Sequence, residues 1–372
     1  MRAVRLHAFG PAENLTYEQV EDPRPTAGQV RIAVAAAGVH LVDTAIRAGD
    51  KGPMPELPAL PTIPGREVAG TVESVGPGVP ADWLGKRVVA HIGFAPGGYA
   101  ELTVTDAARL HELPEGLDFA EAVALIGTGR TTMGILQFVE VDEESVVVIP
   151  AAAGGIGTLL VQYAKRAGAT VVGLAGGPAK VARVRDNGAD LAVDYTDAGW
   201  PDEVRRYLKG LGEGGSRNSG PHDGGRAATA GTTRATETAG ATETAGARET
   251  AETAATAVLD GVGGAVGRAA VELLGAGGTH VTFGWSGKEG PVTLRQDELA
   301  ERGITQVNPL GAAMLERTGG ENPMRALELA AFEAYAGGYF TPAVQRFPLR
   351  EAATAHRALE SRGTSGKVVL IP

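Results

Sequence analysis

The stretch Val146-Val-Val-Ile-Pro-Ala-Ala-Ala-Gly-Gly-Ile-Gly157 constrains this chain more than any other. A β-branched run enters a turn of small residues, and helical spacing follows it. Read as G-x-G-x-x-G, the turn has Ala152 at its first position, then Gly154 and Gly157, with Gly155 and Ile156 between the last two. A glycine at 154 lets the backbone approach a pyrophosphate, and one at 157 lets the helix pack closely on the strand. The helix start then offers free N–H groups and a partial positive charge to phosphates. The context predicts a dinucleotide site.

The surrounding pattern alternates. Strands are predicted at 145–149, 170–174 and 191–193, and helices at 158–167 and 179–187. Such alternation predicts βαβ units and a parallel sheet. The second strand discriminates between dinucleotides. An NAD site would carry Asp or Glu at its end to bind the ribose hydroxyls. Here Thr170-Val-Val-Gly-Leu174 runs into Ala175-Gly-Gly-Pro-Ala-Lys180 with no acid, and Arg183 and Arg185 follow. Small residues and a cation suit a 2′-phosphate, so NADPH is the predicted cofactor. Arg183 and Arg185 read as a solvated helix face.

The first third differs. Short strands at 30–34, 68–75, 86–90 and 100–104 are separated by Pro and Gly, which predicts a compact β-barrel. A helix is expected over 120–136. Beyond the second half of the alternating region, a strand is expected from Ala257, a helix over 267–274 and a strand over 279–283. The chain closes with a helix over 351–360 and a strand over 367–371. The segment 212–256 contains Ala235-Thr-Glu-Thr-Ala-Gly240 repeated as Ala241-Thr-Glu-Thr-Ala-Gly246. It lacks aromatic and large aliphatic residues, cannot offset its ordering entropy, and reads as a disordered insertion. The length of 372 residues then fits two domains.

Composition narrows the function. There is no cysteine, which excludes disulfides, thiolate zinc, iron–sulfur clusters and a cysteine nucleophile. A net charge of −10 argues against nucleic-acid or anionic-membrane partners. The N-terminus Met1-Arg-Ala-Val-Arg5 has no apolar run of the signal-peptide kind. A cytoplasmic protein is the expectation.

The chain resembles, from end to end outside the insertion, the zinc-independent quinone oxidoreductases of the medium-chain dehydrogenase/reductase superfamily. The resemblance rests on Ala36-Ala-Gly-Val-His-Leu-Val-Asp-Thr44, Pro64-Gly-Arg-Glu-Val-Ala-Gly70, Gly97-Gly-Tyr-Ala-Glu101, the 151–157 turn, Gly188-Ala-Asp190, Leu259-Asp-Gly-Val-Gly-Gly264 and Gly366-Lys-Val-Val-Leu-Ile-Pro372. It implies an α/β protein: a GroES-like β-barrel catalytic domain at 1–123, a Rossmann domain at 124–309, and a return segment at 310–372 completing the first. The active site would lie between them, and a homodimer is expected.

The resemblance also implies cofactor contacts. Thr131 would sit near the nicotinamide, Gly176 and Lys180 would take the 2′-phosphate, and Tyr195 would lie against the adenine-side ribose phosphate. Phe283 and Gly284 would line the nicotinamide end, and Arg362 would reach back to the cofactor. Zinc-dependent relatives carry cysteine at the position of His40 and histidine at that of Arg66, so no zinc is expected. The implied reaction is hydride transfer to a small-molecule electrophile, a quinone or an enone. The alternatives are an enoyl reductase of acyl thioesters or natural-product intermediates, and a non-catalytic NADPH-binding protein. Candidate groups beside the substrate are His40, where relatives have asparagine; Lys51, where many have tyrosine; and Asp43, which also reads as a helix cap.

Overall fold

The computed structural model describes residues 1–52, 56–93, 97–213, 253–287 and 289–372. Most of the predicted insertion, 214–252, lies outside the described residues. Its predicted edges belong to regular elements: Gly212 and Glu213 end a helix, and Ala255 opens a strand.

The chain begins with strands β1 (Arg2–Leu6), β2 (Leu15–Gln19) and β3 (Gln29–Val39), helix α1 (Leu41–Ala48), and strands β4 (Glu67–Val75), β5 (Arg87–His91), β6 (Leu102–Asp106) and β7 (His111–Glu112). A long helical segment follows: α2 (Phe119–Ala124), a π turn at Leu125–Gly129, and α3 (Arg130–Leu136). This is the helix expected over 120–136, with one irregularity. At the π turn Gly127 backs onto Glu67, and a Cβ there would stand 1.5 Å from Glu67 Oε1. Interruptions of this kind recur at functional sites.

The nucleotide-type half contains β8 (Val146–Pro150), α4 (Gly155–Arg166), β9 (Thr170–Ala175), α5 (Pro178–Asp186), β10 (Leu191–Asp194), α6 (Trp200–Glu213), β11 (Ala255–Asp260), α7 (Gly264–Val271), β12 (Leu274–Thr282), α8 (Gln296–Arg302) and β13 (Thr305–Val307). Its six strands pair in parallel in the order β10-β9-β8-β11-β12-β13. The order reverses between β8 and β11, the switch point at which doubly wound sheets bind ligands. Both faces are covered. Val147, Ile149 and Val171 pack with Leu160, Ala164 and Val184, while Val146, Val148 and Val172 pack with Trp200, Val204 and Val271. This burial on both sides explains the unbroken apolar run in β8.

The expected helix over 267–274 lies earlier, because Leu274 already pairs with Ala255 as the start of β12. Helices α9 (Ala312–Thr318) and α10 (Pro323–Ala336) follow, and α10 packs on α3 and the π turn. The chain then re-enters the β-barrel. Strand β14 (Val344–Pro348), helix α11 (Ala352–Glu360) and strand β15 (Lys367–Ile371) complete a seven-stranded sheet in which β15 pairs antiparallel with β3. The fold is the expected α/β combination of a GroES-like barrel and a doubly wound parallel sheet. Among the described residues, no helix is long and apolar enough to cross a membrane.

Candidate functional site

A cleft of about 280 Å³ runs from the 151–157 turn to the start of β15. Its wall contains His40, Gly154, Gly155, Ile156, Gly157, Gly176, Lys180, Tyr195, Phe283 and Arg362, all expected from the sequence. Thr128, Ser286, Thr364 and Lys367 also line it. None of these lining residues is acidic.

The turn is built for close approach. Gly154 caps α4 in an extended conformation, leaving the helix N–H groups directed out of the turn. At Gly157 a Cβ would stand 2.3 Å from the Ala151 carbonyl oxygen, and at Gly155 one would stand 3.2 Å from Thr128 Cγ2. Ala151 has φ of 58°, a left-handed conformation that costs a non-glycine residue free energy and that clusters at ligand sites. Ala152, the first position of the expected fingerprint, is fully buried and donates its N–H to Leu174 at 2.9 Å. It ties the turn to β9 from behind and does not line the cleft.

At one end of the cleft, Gly176 and Tyr195 lie together, and a Cβ on Gly176 would meet the Tyr195 ring at 3.1–3.2 Å. The half-buried Lys180 donates to the Arg362 carbonyl at 2.6 Å. Burial, helped by the Arg362 charge, pulls the Lys180 pKa below its ordinary value. Arg362 adopts φ of 55° and donates to the Ser286 carbonyl at 2.7 Å. The Arg362 strap therefore links both domains across the cleft. Arg183 and Arg185 are exposed on α5, as their solvated-face reading expects.

At the other end is a cluster the sequence did not disclose. Lys367 is buried, and its Nζ lies 2.8 Å from both His40 Nε2 and Glu67 Oε2. Glu67 Oε1 lies 2.9 Å from His40 Nε2. Burial pushes the Glu67 carboxyl up, but His40 and Lys367 outweigh it and hold the group well below the usual range. For Lys367 burial dominates, and its pKa is lowered despite Glu67. Asp43 sits behind His40, accepting the His40 backbone N–H at 2.8 Å and the Tyr99 hydroxyl at 3.3 Å, with Arg66 3.5 Å away. Burial opposes its ionisation, yet His40 and Arg66 hold it below its ordinary value. Its place is the N-terminal capping box of α1.

Four other expected residues lie off the cleft wall. Lys51 is exposed on a loop. Thr131 lies in α3, where its hydroxyl donates to the Gly127 carbonyl at 2.9 Å. Asp43 is buried behind His40. Gly284 packs against Gly261, with a Cβ position 3.2 Å from the Gly261 carbonyl oxygen. Their expected roles beside substrate or cofactor have no direct contact with this wall.

The donor set does not fit a catalytic zinc. Such a site wants three protein ligands. Here His40 and Glu67 both face an ammonium, and among the described residues no group of three or more His, Cys, Asp or Glu side chains could hold a metal.

Comparison with known proteins agrees with this architecture. Residues 26–115 match the alcohol dehydrogenase GroES-like domain family, and residues 155–214 and 231–370 match two zinc-binding dehydrogenase families. The chain is 29% identical to a quinone oxidoreductase of Pseudomonas aeruginosa over 100% of this chain and 99% of that protein. It is 28% identical to a 2-haloacrylate reductase of Burkholderia sp over 100% of this chain and 98% of that one. The crystal structure of Escherichia coli quinone oxidoreductase complexed with NADPH superposes with a TM-score of 0.76 at 25% identity, covering 100% of both chains. The end-to-end match and the barrel joined to a doubly wound sheet lead to one assignment: the chain is an oxidoreductase belonging to the zinc-independent quinone oxidoreductase branch of the medium-chain dehydrogenase/reductase superfamily.

Proposed function

We propose that the protein is an NADPH-dependent reductase of quinones or α,β-unsaturated carbonyls. The observation that carries this reading is a cleft with a glycine-lined helix N-terminus, Lys180 and Arg362 at one end, and no acidic side chain among the described residues of its wall. Such a wall suits a cofactor carrying a pyrophosphate and a 2′-phosphate. When bound, the nicotinamide supplies a hydride to an electrophilic carbon and is itself oxidised.

The chain's own residues then have distinct tasks. The α4 N-terminus holds the pyrophosphate, and Lys180 holds the 2′-phosphate beside Gly176 and Tyr195. Phe283 and Thr128 wall the nicotinamide end. The Lys367 ammonium, held by Glu67 and His40, stabilises negative charge on the substrate oxygen. The names of the relatives support a quinone and, through 2-haloacrylate, a carbon–carbon double bond conjugated to a carboxylate. The protein works, on this reading, as a cytoplasmic homodimer on small molecules.

The test is oxidation of NADPH and NADH, followed by absorbance, against quinones, enones and enoyl thioesters. The reading expects turnover of quinones or enones with a preference for NADPH. Turnover with NADH alone, or with no acceptor, would overturn it.

A further inference from the structure

We infer that Lys367 is the acid that protonates the oxygen of the reduced substrate, with His40 and Glu67 positioning it. The inference rests on the reductase reading above and names a catalytic residue within it.

The assignment follows from counting donors. An ammonium has three N–H groups. In Lys367 one goes to Glu67 Oε2 and one to His40 Nε2. The third has no partner among the described residues, although the residue is buried on the cleft wall. An uncommitted donor in so dry a place is costly unless a ligand completes it. His40 is less suited to the task. Its Nε2 is shared between Lys367 and Glu67, and its Nδ1 is buried, 3.4 Å from Asp43 Oδ2. Nε2 is thus engaged by protein groups, and Nδ1, which has no hydrogen-bond partner among the described residues, is too buried to reach a substrate in the cleft.

The surroundings are shaped around this arrangement. A Cβ on Gly38 would stand 2.5 Å from Glu67 Oε2 and 3.1 Å from Lys367 Cε. One on Gly127 would overlap Glu67 Oε1. Two glycines from separate elements therefore make room for the carboxylate that holds the lysine. The charged and titratable groups facing the cluster are Glu67 and His91 from β4 and β5, Asp43 from α1, and Arg66 just before β4. Burial is the largest influence on Lys367 and favours release of its proton.

The step balances simply. Hydride addition forms a C–H bond, and the displaced π electrons come to rest on the substrate oxygen. An N–H bond of Lys367 breaks as an O–H bond forms, leaving a neutral amine held by Glu67 and His40. Solvent returns one proton to the amine after product leaves. An enol product becomes the ketone in water.

The test compares two acceptors with very different proton demand: a simple enone, whose enolate is strongly basic, and an electron-poor quinone, whose hydroquinone anion is weakly basic. In Lys367→Met, enone reduction should fall by about 100-fold or more, while quinone reduction falls by less than about tenfold. Lys367→Arg keeps the charge but cannot release a proton near neutral pH. It should show the same split, and it stands in if the methionine variant does not fold. NADPH affinity, measured by fluorescence titration, should stay within about threefold of wild type in either variant. In the cofactor-free protein, NMR titration of the Lys367 side chain should give a pKa below that of an exposed lysine. Equal losses for both acceptors, unchanged enone turnover, or an ordinary lysine pKa would overturn the assignment. Failure of the wild-type chain to bind NADPH would instead overturn the reductase reading, and this inference with it.

Discussion

The Gly366 backbone N–H donates to the Ala153 carbonyl at 2.9 Å, joining the residue before β15 to the glycine turn before α4. This hydrogen bond couples the barrel to the glycine turn of the cleft, one residue before Lys367. Gly366 has φ of +68°, and a Cβ would stand 2.3 Å from the Ala343 carbonyl oxygen. Gly366→Ala should destabilise the fold by about 1–3 kcal/mol and weaken NADPH binding. Thermal unfolding and calorimetric titration measure the two effects.

The turn itself is less tolerant. A side chain at 157 collides with the Ala151 carbonyl and the Ala152 backbone. Gly157→Val should abolish measurable NADPH binding by calorimetry. A variant that folds and binds NADPH normally would contradict the assigned role of the turn.

Cofactor choice rests on Lys180 in the proposed function. Lys180→Ala should raise the Kd for NADPH by about tenfold or more, near 1.4 kcal/mol, and leave that for NADH within about twofold. Paired titrations with the two dinucleotides measure the difference. Equal weakening of both would show that Lys180 does not read the 2′-phosphate.

The buried ionisable groups set the acid limit of stability. Burial lowers His91 to about 3 and His356 to about 4, both below the 6.5 of a free histidine. The unfolded chain therefore binds more protons than the folded one as pH falls below about 6.5, and stability declines from there. Asp43 and Glu67, with depressed values, contribute stability that is present above about pH 4 and lost as pH falls further. The predicted melting temperature falls in two stages on acidification. His356→Gln, which can still meet the Tyr99 hydroxyl that His356 Nε2 contacts at 3.2 Å, should flatten the first stage.

Glu67 is the counter-charge of a buried ammonium. Glu67→Gln leaves the buried Lys367 ammonium without its counter-charge, a change that costs about 3–5 kcal/mol in comparable settings. Denaturant unfolding of this variant and of Glu67→Gln/Lys367→Met should show the double variant recovering part of that loss.

The glycine-turn end of the cleft was readable in the sequence because its parts are local. Strand β8, the glycine turn and α4 are contiguous, and Lys180 follows one strand later. The other end was not readable for the opposite reason. Lys367 and Glu67 are 300 residues apart, and His40 lies 327 from Lys367. Only the return of β15 alongside β3 joins them. Lys367 appeared in the closing Gly366-Lys-Val-Val stretch as part of a strand, with no local sign that its side chain was buried. The offset of α7 has a similar origin. Leu273 and Leu274 continue an apolar helical pattern, but pairing with β11 takes Leu274 into the sheet. Helix α10 had a legible start, since Asn322 caps it and Pro323 occupies its first turn, yet its packing on the π turn is a tertiary fact.

The most direct measurement of the central claim uses NADPH labelled with deuterium at the transferable position of the nicotinamide. After reduction of an enone by the wild-type protein, mass spectrometry and NMR locate the label in the product. The proposed function predicts a single deuterium on the carbon that accepts the hydride, formed in step with NADPH oxidation. Product without deuterium, or no NADPH consumption with any quinone or enone, would contradict it.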